Sequence, residues 1–267
     1  MNDFEFICLD LDGTLLDSDK KIGQDSRRII KELRARSKKI LLASGRHLRE
    51  TKEFCEELDL GSDDIVISCD GQYINHCDGK LIWSAPFLDA KDLNEIIRQA
   101  TPNTMSIITD KADYKYVSSY RDFIIGSLKK ILRPHSVTVV RRRMASVCKG
   151  LNVEKVILKD LPNSSLNDLS QHYSVHCIST DYRRVEILRN GVNKYNALKV
   201  LTQKGIIGNL DSLVYFGNDM NDVECFNYLR YCVAMDDSPE ELKSKAFMVT
   251  EDCNHDGVAL ALLKLFY

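Results

Sequence analysis

The chain begins with short, continuously apolar runs separated by longer runs whose apolar residues recur every three or four positions. FEFICLDLD, KKILLAS and DIVISC are apolar throughout and predict strands. QDSRRIIKELRAR carries Ile29, Ile30 and Leu33 on one helical face, and LRETKEFCEELDL predicts a second helix. Strands without polar alternation, separated by helices, imply a parallel sheet covered on both faces. After Asp70 the pattern changes to QYINHCDGKLIW, whose alternation around Asp78-Gly79 predicts a hairpin.

The first rhythm returns in the last third. VNKYNALKVLTQKG predicts a helix capped by Asn193 and stopped at Gly205. DSLVYFG, RYCVAM and FMVT predict strands, NDVECFNYL and GVALALLKLF helices. SPEELKSKA suggests a helix with Ser238 as N-cap, Pro239 in its first position and Glu241 completing a capping box. Between these halves lies a different unit, with helices such as DAKDLNEIIRQA and SSLNDLSQHY among strands such as MSIITD, EKVILK and VHCIST. The expected organisation is an α/β domain of residues 1–83 and 185–267, interrupted by an α+β unit of residues 84–184.

A length of 267 residues accommodates two such domains, and a net charge of −2 gives no general attraction to nucleic acid. No apolar run approaches 18 residues, and Met1-Asn2-Asp3-Phe4-Glu5 lacks a basic leader, so neither a membrane span nor a secretory signal is expected. The nine cysteines are odd in number and scattered without a Cys-x-x-Cys. They are expected to be small core residues of a cytoplasmic protein, not a disulfide framework or a zinc site.

Ligands of open parallel sheets sit outside the carboxyl ends of the strands. Asp10 and Asp12 follow the first predicted strand, Ser44-Gly45-Arg46 the second, Asp70-Gly71 the third, and Gly217-Asn218-Asp219-Met220-Asn221-Asp222 the strand LVYF. Lys194 opens a helix just after the inserted unit. Taken singly, each has a bland explanation: a turn, a helix cap or a surface cation. Their convergence on one sheet edge favours chemistry.

DLDGTL, ASGR, GVNK and FGNDMNDVECF, in that order, resemble the haloacid-dehalogenase superfamily of phosphoryl-transfer enzymes. The insertion after the third strand and the tail VAMDDSPEELKSKA resemble its Cof-type (IIB) branch. The resemblance implies a Rossmann-like parallel sheet core with an inserted α+β cap that lies over the sheet edge and selects the substrate. It further implies Asp10 as nucleophile, Asp12 as acid/base and Lys194 as counter-charge. Ser44, Gly45 and Asn221 would bind the phosphoryl oxygens. Mg²⁺ would be held by Asp10, Asp12, Asn218 and Asp222, the last in support of the metal's water shell. Acid catalysis at the first step requires the pKa of Asp12 to be raised.

Two positions depart from the pattern. The commonest family form, Gly-Asp-x-x-Asn-Asp, has an aspartate where this chain has Asn218, with Asp219 next to it. The family often has Asn-Gly where this chain has Asp70-Gly71. The cap sequence LKKILRPHSVTVVRRR is basic through Lys129, Lys130, Arg133, Arg141, Arg142 and Arg143. This is either a solvated face or an attraction for a multiply charged substrate. The function implied is Mg²⁺-dependent hydrolysis of small phosphorylated metabolites, sugar phosphates foremost, by a monomer or weak homodimer. The alternatives are a hexose phosphomutase and a non-catalytic phosphometabolite-binding regulator.

Overall fold

The computed structural model describes residues 4–132, 138–141, 149–159, 161, 163–177 and 184–267, and the chain divides into two compact units, Met1–Ala85 with Val192–Tyr267, and Pro86–Gly191.

The first unit begins with β1 (Phe6–Leu9), α1 (Gln24–Ala35), β2 (Lys39–Ala43), α2 (Leu48–Glu57) and β3 (Ile65–Ser68), followed by β4 (Tyr73–His76) and β5 (Leu81–Ser84). The second unit contains α3 (Ala90–Ala100), β6 (Thr104–Thr109), β7 (Tyr114–Val117), α4 (Tyr120–Leu132), β8 (Thr138–Val140), β9 (Val153–Lys159), α5 (Asn163–Ser170), β10 (Tyr173–Cys177) and β11 (Arg184–Arg189). The chain completes the first unit with α6 (Lys194–Gln203), β12 (Leu213–Gly217), α7 (Val223–Tyr228), β13 (Cys232–Met235), α8 (Glu240–Lys243), β14 (Met248–Thr250) and α9 (Gly257–Phe266).

The sheet of the first unit runs β14-β13-β12-β1-β2-β3-β4-β5 and is parallel from β14 to β3. Its parallel strands are mostly apolar because successive residues serve opposite layers. Ile7 and Leu9 join Ile40, Leu42 and Phe216 in a core with Ile29, Ile30 and Leu33 of α1 and Val258 of α9. Phe6 and Cys8 join Leu41, Ile67 and Tyr215 in a second core with Leu198 and Leu201 of α6. The hairpin around Gly79 (φ 99°) adds β4 and β5 antiparallel to one edge.

The second unit is a six-stranded sheet, β10-β11-β9-β6-β7-β8, antiparallel except for β7 with β8. One of its faces packs Met105, Ile107, Val156, Leu158, Val185 and Ile187 against Leu93 and Ile96 of α3 and Leu169 of α5.

Two expectations are corrected. The chain does not rejoin the first unit at Val185: β11 pairs antiparallel with both β9 and β10, so residues 185–191 belong to the second unit. Val185, Glu186, Ile187 and Leu188 are all buried, so burial along RVEILR does not distinguish the sheets, and its strand partners place it in the antiparallel unit. Ser238 is not the N-cap of α8; Pro239 occupies that place, and the Ser238 hydroxyl is buried with no hydrogen-bond partner among the described residues. Of the basic stretch, Arg141 donates to the Ser118 carbonyl and lies over the Tyr120 ring. Lys129 and Lys130 fall within α4, and Arg133, Arg142 and Arg143 lie outside the described residues.

Ile30 is fully buried in the layer between the sheet and α1. Ile30→Ala should therefore lower unfolding stability by about 2–5 kcal/mol, read from the urea midpoint at unchanged m-value.

Candidate active site

The parallel strands end together, and each end delivers a polar group. Asp10 follows β1, Ser44 follows β2, Asp70 follows β3 and Asn218 follows β12, while Lys194 is the first residue of α6, whose N-cap Asn193 accepts from the Asn196 N–H at 2.7 Å. Asp10 and Lys194 are 184 positions apart in sequence.

At the centre, the Lys194 ammonium is fully buried and donates to Asp10 Oδ1 and Asp222 Oδ1, each at 2.6 Å. Burial alone would strip its proton, but the charges of Asp10, Asp222 and Asp70 outweigh this and hold it protonated. Asp10 is the strained partner. Burial pushes its carboxyl up, Lys194 pulls it down, Asp222 pushes again, and the result is about 7. Asp10 Oδ2 accepts no hydrogen bond among the described residues.

Asp222 is held at four points. Besides Lys194, its Oδ1 accepts from the Tyr215 hydroxyl at 2.5 Å, and its Oδ2 accepts from the N–H groups of Asn218 (2.9 Å) and Asp219 (3.2 Å). A carboxylate so committed anchors Lys194 and shapes the loop after β12.

Asp12 departs from expectation. Arg46 grips it with two bonds, Nε to Oδ2 at 2.7 Å and Nη2 to Oδ1 at 2.6 Å, and Lys20 adds an ion pair at 2.9 Å. Burial pushes against ionisation, but these hydrogen bonds and charges prevail and hold the carboxyl below its ordinary value. The expected upward shift is absent from this arrangement because two cations face the group.

Asn218 sits against the first loop. Thr14 Oγ1 donates to its Oδ1 at 3.3 Å, and a Cβ on Gly13, which has φ 84°, would lie 2.2 Å from its Nδ2. Ser44 is buried, and its hydroxyl accepts from the Arg46 N–H at 3.2 Å. Asn221 Nδ2 donates to Asp70 Oδ1 at 3.0 Å, and that carboxylate closely approaches Gly45, where a Cβ would lie 3.0 Å away.

A haloacid dehalogenase-like hydrolase family model matches residues 7–262. The chain belongs to that family. A 5-amino-6-(5-phospho-D-ribitylamino)uracil phosphatase of Bacillus subtilis is 24% identical over 97% of both chains. A pyridoxal phosphate phosphatase of Escherichia coli is 25% identical over 95% of both. The solved structure of a subclass IIB sugar phosphatase, BT4131, superposes with a TM-score of 0.73 at 17% identity over 98% of both chains.

As a member of this hydrolase family, the chain has a donor set that suits a hard divalent cation. Two buried carboxylates, Asp10 and Asp222, bond one buried ammonium, and the charge of a third, Asp70, also reaches it, leaving the cluster negative. The remaining donors at the edge are oxygens: Asp10 Oδ2, the Asp12 carbonyl, the Asn218 amide and the Asp219 carboxylate. Asp219 Oδ1 is partly committed, accepting from the Met220 N–H at 2.7 Å.

Sequence reasoning assigned no role to Arg46, Lys20 or Tyr215. Arg46 lay within the quoted ASGR motif, and its fork matches a carboxylate. Tyr215 is concealed in an apolar strand, where an aromatic ring normally means core. Lys20 lies in a turn closed by Lys20 N–H to Asp17 O, a pattern with no sequence signature for Asp12.

An acid whose folded pKa is raised stabilises the fold below its unfolded pKa and loses that contribution as pH climbs to the folded value. For Asp10 the window runs from 3.8 to about 7. In chelator, Asp10→Asn should melt above wild type at pH 8, with the difference shrinking towards pH 5. Thermal unfolding at the two pH values checks this.

Proposed function

We propose that this protein is a Mg²⁺-dependent phosphatase of small phosphorylated metabolites, sugar phosphates foremost, acting through an aspartyl-phosphate on Asp10. The observation carrying the proposal is the buried ammonium shared by Asp10 and Asp222. It directs one oxygen of Asp10 inward and leaves the other for in-line attack.

A phosphate dianion approaches a carboxylate only where positive charge offsets the repulsion. Lys194 supplies part of that charge from within the protein. Mg²⁺, when bound, would supply the rest, held by Asp10, the Asp12 carbonyl and Asn218, with Asp219 adjacent. Asp10 Oδ2 forms the bond to phosphorus as the ester P–O bond breaks, and the leaving alkoxide takes a proton from Asp12. Water then attacks the acyl phosphate, Asp12 accepts its proton, and inorganic phosphate and the Asp10 carboxylate are released. The hydroxyl of Ser44, the backbone at Gly45 and the Asn221 amide hold the phosphoryl oxygens. Clamped by Arg46 and Lys20, Asp12 is a base. Donating a proton at the first step requires it to exchange these partners for that proton, so Arg46 governs its protonation state.

The names of the relatives support a phosphorylated metabolite as substrate: one carries a phosphorylated ribityl chain, one a phosphorylated pyridine, and a structural neighbour is a sugar phosphatase. The unit of residues 86–191 is read as the substrate-selecting cap. Free thiols at Cys8, Cys55, Cys69, Cys77, Cys225, Cys232 and Cys253 suit a reducing cytoplasm. No helix among the described residues is long and apolar enough to cross a membrane.

Wild type with Mg²⁺ should release phosphate steadily from a panel of sugar, nucleotide and cofactor phosphates. Asp10→Asn should lose at least about a thousandfold in kcat, in keeping with the loss of a nucleophile. Wild type without turnover, or a fully active Asp10→Asn variant, would reject the mechanism. Asn218→Ala should raise the Mg²⁺ concentration for half-maximal activity by about tenfold, and Asp219→Ala by less, since losing a neutral oxygen ligand weakens a hard-cation site. An unaltered Mg²⁺ requirement in Asn218→Ala would move the ligand assignment to Asp219.

A further inference from the structure

The turn after β3 is strained, and its strain serves one side chain. Cys69, Asp70 and Gly71 have successive φ values of 50°, 55° and 101°. Two successive non-glycine residues hold the left-handed region only where the surroundings enforce it. They do so through the Ser44–Arg46 loop: the Cys69 N–H donates to Arg46 O at 2.9 Å and the Asp70 N–H to Ser44 O at 3.0 Å. On the other side, Gly71 packs so closely on Asn193 that a Cβ would lie 2.3 Å from its carbonyl oxygen.

This turn buries the Asp70 side chain, which is 2% exposed, between Gly45 and Asn221. A terminal amide is nearly symmetric in shape but not in function: one end accepts hydrogen bonds and the other donates two. An ionised carboxylate only accepts. Asp70 Oδ1, 3.0 Å from Asn221, therefore demands the nitrogen end of that amide. One N–H is committed to Asp70 and the second remains for an oxyanion. An asparagine at position 70 could meet Asn221 with either of its own ends and would leave this choice open.

We propose that Asp70 is a positioning residue that fixes Asn221 as a hydrogen-bond donor to the phosphoryl group. It acts through Asn221 and touches no reacting atom. The proposal rests on the reading of Ser44, Gly45 and Asn221 as the phosphoryl site. The negative charge that Asp70 introduces beside an anion is offset by Lys194, the buried cation of the same cluster.

The test uses the full chain with Mg²⁺, hydrolysis of p-nitrophenyl phosphate, and calorimetric titration of inorganic phosphate. Asp70→Ala should raise KM and the phosphate Kd by about tenfold with kcat within about threefold, the size expected for one lost charge-assisted bond. Asp70→Asn keeps an acceptor oxygen and should recover most of that loss. The double variant Asp70→Ala/Asn221→Ala should bind phosphate no more weakly than Asn221→Ala alone, because Asp70 acts on bound phosphate through Asn221. Multiplying losses in the double variant, or wild-type phosphate affinity in Asp70→Ala, would overturn the proposal. Should Asp70→Ala not fold, Asp70→Ser, which also lacks the reach to Asn221, takes its place in the same cycle. Wild type that neither binds nor releases phosphate would overturn the phosphatase reading itself, whereas active wild type with an unaffected Asp70→Ala variant overturns only the role of Asp70.

Discussion

One ammonium without contact to solvent organises the first unit. Removing Lys194 from water costs several kcal/mol, offset by Asp10 and Asp222 facing it at hydrogen-bond distance. Those partners arrive from the end of β1 and the loop after β12, and Lys194 itself comes from the start of α6. The three elements are adjacent because β1 pairs with β12 and because α6 packs on the layer containing Cys8 and Tyr215. The apolar packing of the sheet and the placement of the charges therefore depend on each other. A strand displaced by one residue would strand a buried charge as well as misplace a core side chain.

The electrostatics around that ammonium divide the aspartates by role. Asp222 is saturated with donors, Asp12 is clamped by an arginine fork and a lysine, and Asp70 is engaged by an amide. Asp10 has an oxygen that accepts no hydrogen bond among the described residues and a carboxyl pushed up to about 7. Chemically similar side chains are thus separated by their neighbours, which is what the proposed division into a nucleophile, a proton carrier and two anchors draws on.

Much of this was legible in the sequence because parallel strands are apolar to their last residue and then stop. The polar residue after each stop is conspicuous, so Asp10, Ser44, Asp70 and Asn218 could be assigned to one edge without coordinates. What each carboxylate faces was not legible, since pairing is a property of side-chain reach across long sequence separations. Arg46 reaches Asp12 across 34 positions and Tyr215 reaches Asp222 across a loop, and neither contact has a spacing that predicts it. The same limit applies to Asp222, whose contact with Lys194 across 28 positions has no spacing that predicts it. The limit of the inserted unit was misread for a different reason: RVEILR is compatible with either sheet until its partners, β9 and β10, are known.

The strained turn after β3 also governs how the chain leaves and re-enters the first unit. On the outward path, the Ala85 N–H donates to Gln72 O at 2.8 Å and Gln72 Nε2 returns a bond to Ala85 O at 2.6 Å. On the inward path, Asn193 rests on Gly71. Two adjacent residues thus fasten both ends of a loop more than a hundred residues long, the interval from Pro86 to Gly191. The entropy of closing that loop is met by local contacts within the first unit, and each doubling of its length would add only about 0.6 kcal/mol. The hydrolase unit can therefore accept inserts of widely different size at this point while its charged cluster keeps the same frame.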